Sequence, residues 1–178
     1  MINTKKLGTT FLATALSTTL LAASADASGY YYWHKGDMDD STVLNQNFKK
    51  AIQKNNFTYD GVNINTEYNI FKRVMKNNGI YYKKVRNGVF QSRNATFIFG
   101  LKNNKLSNNS KLKGIYFTFD DYAISSSKIK KVYGSPDNIK RIKNGLSYSY
   151  NAHYSIKNKF DFVKSNGSYK LTGFMTTK

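Results

Sequence analysis

Lys84-Val85-Arg86-Asn87-Gly88-Val89 and Arg141-Ile142-Lys143-Asn144-Gly145-Leu146 are one phrase written twice. Each runs basic, branched, basic, then Asn-Gly, then apolar. Asn-Gly between alternating residues is a strong short-range hairpin signal. A second match lies upstream, where Phe71-Lys72-Arg73-Val74 falls over Ile129-Lys130-Lys131-Val132. The two offsets are 57 and 58 residues, so the two matches agree in register to within one residue. After each Asn-Gly turn comes an aromatic strand, ATFIFGL from Ala95 and LSYSYNA from Leu146. The repeating unit is therefore a helix followed by a meander of antiparallel strands. This pattern predicts an α+β fold of two units, residues 65–123 and 124–178. Their strands would form one curved sheet with the helices on one face and the other face open.

The elements around the repeat read as follows. A helix over 67–77 buries Ile70, Phe71, Val74 and Met75, and Gly79 stops it. A helix after the Ser125-Ser126-Ser127 cap turns Ile129, Val132 and Tyr133 inward. Gly134 stops it, and Pro136 prevents it from resuming. Strands are expected over 80–85, 89–91, 95–101 and 111–119, then over 139–143, 146–153, 159–164 and 168–176. The polar stretch 102–110 is a loop, and Asn166-Gly167 is the last turn. Ahead of the repeat, residues 28–64 hold the run Tyr30-Tyr31-Tyr32-Trp33, which is expected at a core edge. They also hold a helix over 42–54 and a short hairpin of Phe57 and Tyr59 with Val62 and Ile64 about Asp60-Gly61. Asp37, Asp39 and Asp40 look like the start of a calcium loop, but the Gly and Glu that such a loop needs are missing. Asp40 or Ser41 as a helix cap is the simpler reading.

Residues 1–27 read as a secretory signal peptide. Lys5 and Lys6 precede an uncharged stretch, and Ala25-Asp26-Ala27 fits a small-x-small cleavage site. A secreted product, extracellular or loosely held at the cell surface and without an integral membrane span, is expected.

Across the 178 residues, 28 Lys+Arg stand against 10 Asp+Glu, a net charge of +18. Lys contributes 24 of the 28, and Asn numbers 21, as AT-rich coding favours. That bias would favour Glu as readily as Lys, yet Glu67 is the single glutamate. The charge therefore points to what the protein touches. At 40% hydrophobic and 15% aromatic the chain can still build a core, which excludes a disordered polycation.

There are no cysteines, so thiolate metal sites, disulfides and cysteine nucleophiles are excluded. Only His34 and His153 are available as histidine bases. No nucleophile elbow, zinc-protease or P-loop motif occurs. Asp120, Asp121 and His153 are what a nuclease would have to assemble, and solvated strand-end acids beside an ordinary histidine are the expected alternative. No catalytic residue, metal or cofactor is assigned.

Binding has more support. Lys72, Arg73, Lys130 and Lys131 fall on exposed helix positions. Lys83, Lys84, Arg86, Lys140, Arg141 and Lys143 fall on the first strand of each unit, and Tyr82, Tyr148 and Tyr150 interleave with them. Any one such pair is ordinarily a solvated face. Their recurrence, with aromatic rings between them, suits a polyanion whose phosphates meet point charges and whose bases stack. Lys in place of Arg predicts attraction without sequence reading. Extracellular DNA or RNA, teichoic acid, heparin-like glycans and acidic headgroups all fit this chemistry.

The chain also resembles the immunodominant staphylococcal antigen B family. The resemblance rests on the early Tyr-Tyr, Asn47-Phe48 leading into Ala51-Ile52, Tyr59-Asp60-Gly61-Val62, Lys131-Val132-Tyr133-Gly134 and the terminal Thr176-Thr177-Lys178. It implies a secreted or surface antigen that binds extracellular nucleic acid without sequence specificity, with a role in virulence or biofilm. The helix-meander repeat is similar to the tandem units of the beta-lactamase inhibitor protein fold. That implies an alternative, a secreted protein-binding or inhibitor module directed at a host or cell-surface protein.

Overall fold

In this computed structural model, residues 30–34 and 36–178 are described, and the predicted signal peptide lies outside the described residues. Alternation of apolar and polar residues sets the strands, and Asn-Gly turns and glycine stops set their ends. β3 (Lys83–Arg86), β4 (Val89–Ser92), β5 (Ala95–Phe99) and β6 (Leu112–Thr118) form one antiparallel meander. β7 (Asn138–Ile142), β8 (Gly145–Asn151), β9 (Lys157–Ser165) and β10 (Ser168–Thr177) form a second. The last strands of the two, β6 and β10, pair antiparallel. The result is one eight-stranded sheet in the order β3-β4-β5-β6-β10-β9-β8-β7, so β3 and β7 are its two edges. Extra residues at Val85, Lys113 and Thr172 shift the register within β3, β6 and β10, and bulges of this kind bend a strand.

Among the described residues, three α-helices complete the α+β fold: α1 (Gln46–Lys54), α2 (Tyr68–Asn77) and α3 (Ser126–Tyr133). The expected start of the first helix is corrected. Residues 40–44 form a 3-10 turn capped by Asp39, and α1 begins only after Asn45, whose carboxamide accepts from the backbone N–H of Asn47 and Phe48. Asn is as good a cap as Asp or Ser, and it stands one turn nearer the apolar face. The hairpin expected at 57–64 is also corrected. β2 (Phe57–Tyr59) pairs in parallel with β1 (Tyr31–Trp33), and only a single bridge, Tyr59 to Val62, survives of the expected return strand. Burial explains the exchange, because this pairing brings Tyr31 under Phe48 and Phe57.

Helix rings meet sheet rings throughout the core. Phe48 of α1 lies 5.5 Å from Phe174, Phe71 of α2 lies 5.0 Å from Phe97, and Tyr133 of α3 lies 4.7 Å from Phe160. Phe117, Phe174, Phe160 and Tyr148 form one cross-strand row with Ile139, and this is the aromatic face of the sheet.

Burial has a consequence for alkaline stability. It pushes the Tyr133 and Tyr59 hydroxyls far above the ordinary phenol value, and it pushes Tyr150 up to about 12. In the unfolded chain each would ionise near pH ~10. A folded value above the unfolded one gives stability that is complete below pH ~10 and is lost as pH rises further. Phenolate absorbance from these residues should therefore appear together with loss of near-ultraviolet circular dichroism. Ionisation of all the tyrosines with the fold intact would contradict this packing.

Candidate polyanion-binding surface

Register decides which side chains share a face. Lys83 pairs with Gln91, Gln91 with Thr96, Thr96 with Tyr116, Tyr116 with Met175 and Met175 with Lys159. Two residues along β6, Thr118 pairs with Gly173, Gly173 with Asp161, Asp161 with Ser147 and Ser147 with Lys140. Residues two apart in a strand point the same way, so both rows belong to one face. That face carries Lys83 at one edge, Lys140 at the other and Lys159 between them. It is polar, in contrast to the ring-lined side. Arg86 shares it through its pairing with Val89 and, beyond that, Ile98.

Lys84 and Arg141 pair with Phe90 and Leu146, on the aromatic side. Both are exposed there, because no strand lies beyond β3 or β7. Lys143 sits in the β7–β8 turn and is also exposed. β3 thus holds three of these cations, and β7 holds two with a third, Lys143, in the turn that follows it. Among the described residues the ion pairs are Arg93–Asp60 at 2.7 Å and Lys159–Asp161 at 3.2 Å, and neither uses an edge cation.

The expected tyrosine platforms are corrected. Tyr148 and Tyr150 are buried, 4% and 7% exposed, and cannot stack on a base. Both lie on the ring side of β8, where Tyr148 meets Phe162 and Tyr150 meets Phe160. Tyr82 is half-buried against Phe71 and Phe90. The expected helix cations are dispersed, with Lys72 half-buried and Arg73, Lys130 and Lys131 exposed. Lys72 bonds Asn108 at 3.0 Å and lies over the Tyr68 ring, and Lys130 lies over the Tyr148 ring. Arg73 and Lys131 point to solvent.

Sequence reasoning missed Tyr116 and Lys159 on the polar face. Tyr116 packs over Gly173, where a Cβ would collide with its hydroxyl. Burial, then the Asp161 carboxylate, raises the Tyr116 hydroxyl above its ordinary value. Strand alternation alone would have placed both residues opposite the buried rings, but only the register joins them to Lys83 and Lys140. A cleft of about 560 Å³ was missed as well. It lies at the β7–β8 turn, where Arg141, Asn144, Lys164 and Tyr169 meet Ile142, Gly145 and Val163. A second cleft, lined by Lys50, Gln53, Lys54, Asn151, Ala152 and His153, lies against α1.

Two acids lie on or beside these surfaces: Asp161, paired to Lys159 on the polar face, and exposed Asp137, which precedes β7 and accepts from the backbone N–H of Asn151. Asp37 accepts from the backbone N–H of Asn94, and Asp60 pairs with Arg93, both at the β4–β5 turn. Asp40 lies within the field of Asp39 and Asp121. Burial, the hydrogen bond to Asp39 and the charges of Asp39 and Asp121 raise its carboxyl above the usual range. Asp120 and Asp121 follow β6 at the Thr118 end, whereas His153 follows β8 beyond Asn151. Register places those ends apart, since Thr118 leads across to Ser147 and Asn151 pairs with Lys157. The nuclease-like set is therefore not assembled. Among the described residues no group of three or more His, Asp or Glu is placed to hold a metal. Nor is any helix long and apolar enough to cross a membrane.

The chain matches no known family profile and no curated protein sequence. A solved structure of ORF14 from Sulfolobus islandicus filamentous virus is similar over 36% of this chain and 67% of that one, at 15% identity. Its TM-score of 0.28 is too low for the likeness to carry any argument.

Proposed function

We propose that this is a secreted, non-enzymatic protein that binds extracellular nucleic acid without sequence specificity, through the polar face of its sheet and the two basic edges. In this reading residues 65–123 and 124–178 are related units. Their helices cover the aromatic face of a curved sheet and leave the polar face open. The observation that carries the reading is the placement of Lys83, Lys84, Arg86, Lys140, Arg141 and Lys143. All six are exposed on or beside the two edge strands, and none makes an ion pair among the described residues. Cations clustered in this way without acid partners create a field that attracts polyanions. Lysines contact phosphates and read no bases, which is why no sequence preference is expected. The resemblance to the staphylococcal antigen B family points the same way, with its implied role in virulence or biofilm.

A second reading rests on a different observation. Tyr30 and Tyr32 are 41% and 36% exposed and stack at 6.0 Å, as an aromatic anchor for a protein partner would. Teichoic acid or another glycan polyanion would use the same cations as nucleic acid.

The test is titration of the protein against fluorescent duplexes of unrelated sequence at physiological salt, with heparin as competitor. Binding at or below the micromolar level, alike for all sequences, supports the proposal, since non-specific binding lies at roughly 10⁻⁴–10⁻⁶ M. No binding, or release by stoichiometric heparin, would turn the charge over to another polyanion. Binding to one protein that survives Lys-to-Gln exchange at the edges but not Tyr32→Ala would favour the second reading.

A further inference from the structure

We propose that one nucleic-acid duplex lies across the polar face and is gripped at both sheet edges, so that β3 and β7 act as a single two-point clamp. This rests on the nucleic-acid reading above and adds the form of the occupant, a stiff duplex rather than a flexible strand. The sheet order places β3 and β7 seven strand spacings apart. At ~4.8 Å per spacing the path along the sheet between them is ~34 Å, the upper bound of the straight span. One turn of B-form duplex is about 34 Å, so the same aspect of the backbone recurs at both edges. Register puts Lys83 and Lys140 on one face with Lys159 between, and the single acid in these two rows, Asp161, is paired to Lys159. A duplex stays straight over such a span, since its persistence length is about 150 base pairs. A single strand would have to be ordered to reach both edges, at an entropic cost.

Lysines on exposed edge strands also have an ordinary use, which is to stop edges from pairing with other chains. Edge guarding predicts two independent patches, whereas a clamp predicts coupling. Once one edge is engaged, the other meets the same duplex at an effective concentration near the millimolar range. The difference between the two explanations is therefore measurable in the length of the ligand.

The experiment uses stem-loop duplexes of about 6 and about 16 base pairs, which span ~20 and ~54 Å at ~3.4 Å per pair. Three charge variants accompany the wild type. One carries Lys83→Gln, Lys84→Gln and Arg86→Gln. The second carries Lys140→Gln, Arg141→Gln and Lys143→Gln. The third carries Lys54→Gln, Lys76→Gln and Lys128→Gln on the helices, and matches the charge loss. The wild type should bind one long duplex at least about thirtyfold more tightly than the short one, and two short ones per molecule. Either edge variant should weaken the long duplex about tenfold or more, and should halve the stoichiometry of the short one with its affinity nearly unchanged. The helix variant should leave the long-to-short ratio as it is. Equal affinity for the two lengths in the wild type would overturn the clamp without any variant. So would an edge variant that leaves the long duplex unaffected, and in both cases nucleic-acid binding itself would stand. Absence of binding to either duplex would remove both proposals.

Discussion

Exchange of Lys83, Lys84, Arg86, Lys140, Arg141 and Lys143 for Gln together lowers duplex affinity about a hundredfold or more at physiological salt, because each phosphate contact releases about one counterion. The same protein should keep its unfolding free energy within about 1 kcal/mol of wild type, since exposed surface substitutions away from packing sites cost little. All six residues are exposed, and none makes an ion pair among the described residues. The loss should appear in binding and not in folding. Fluorescence anisotropy with a labelled duplex reads the first, and urea denaturation reads the second. Affinity within threefold of wild type would show that the edge cations only protect the sheet edges.

Gly145→Ala is expected to destabilise the fold by about 3 kcal/mol, at the upper end of overpacking costs. A Cβ on Gly145 would collide with the carbonyl oxygen of Phe162, and it would lie 2.9 Å from the Phe162 carbonyl carbon and 3.3 Å from Val163 Cα. These are backbone atoms of an interior strand, so nothing nearby can swing aside. Gly88, in the other copy of the phrase, behaves differently. A Cβ there meets the side chain of Leu101, which is 40% exposed and can shift, at 2.8 Å, and the Phe99 carbonyl oxygen at 3.2 Å, a far milder backbone contact than at Gly145. The cost at Gly88 is mainly its positive φ of 71°, worth about 1 kcal/mol. Denaturation of the two variants should therefore separate two glycines that look alike in sequence. A Gly145→Ala protein as stable as the Gly88→Ala protein would contradict the close approach of β8 to β9.

The same pair of glycines shows how far the sequence could be read. Both Asn-Gly pairs mark turns, as the hairpin signal predicts, but the turns are set one residue apart. Arg86 pairs with Val89, so Asn87-Gly88 is the turn centre. Ile142 pairs with Gly145, so the centre is Lys143-Asn144, and Asn144 takes the left-handed φ of 60°. The bulge at Val85 takes up the difference. α2 and α3 were legible because glycine stops and apolar spacing agree, and Ser125 caps α3 as expected, although Ile70, expected on the buried face of α2, is 37% exposed. The parallel partner of β2 was not legible. Asp60-Gly61 is a good local turn, and only burial of Tyr31 decides against the hairpin.

The candidate site was legible as a set of cations and illegible as a surface. Alternation tells which residues of a strand share a side, but not which side faces the helices. Tyr148 and Tyr150 were therefore placed with Lys140, although they share the ring side with Phe160 and Phe162. For the same reason Lys159 and Tyr116, which do share a face with Lys83 and Lys140, carried no mark of their own. That β3 and β7 are the two edges follows from the β6–β10 pairing, which local sequence does not announce.

The most direct test of nucleic-acid binding is the dependence of duplex affinity on salt, for wild type and for each edge variant. With four to six phosphates engaged, the plot of log affinity against log salt should be linear with a slope of about −4 to −5. Removal of either edge should make that slope shallower by about 2. A slope near zero, or one that the edge variants leave unchanged, would mean that these cations do not meet the phosphates of a duplex.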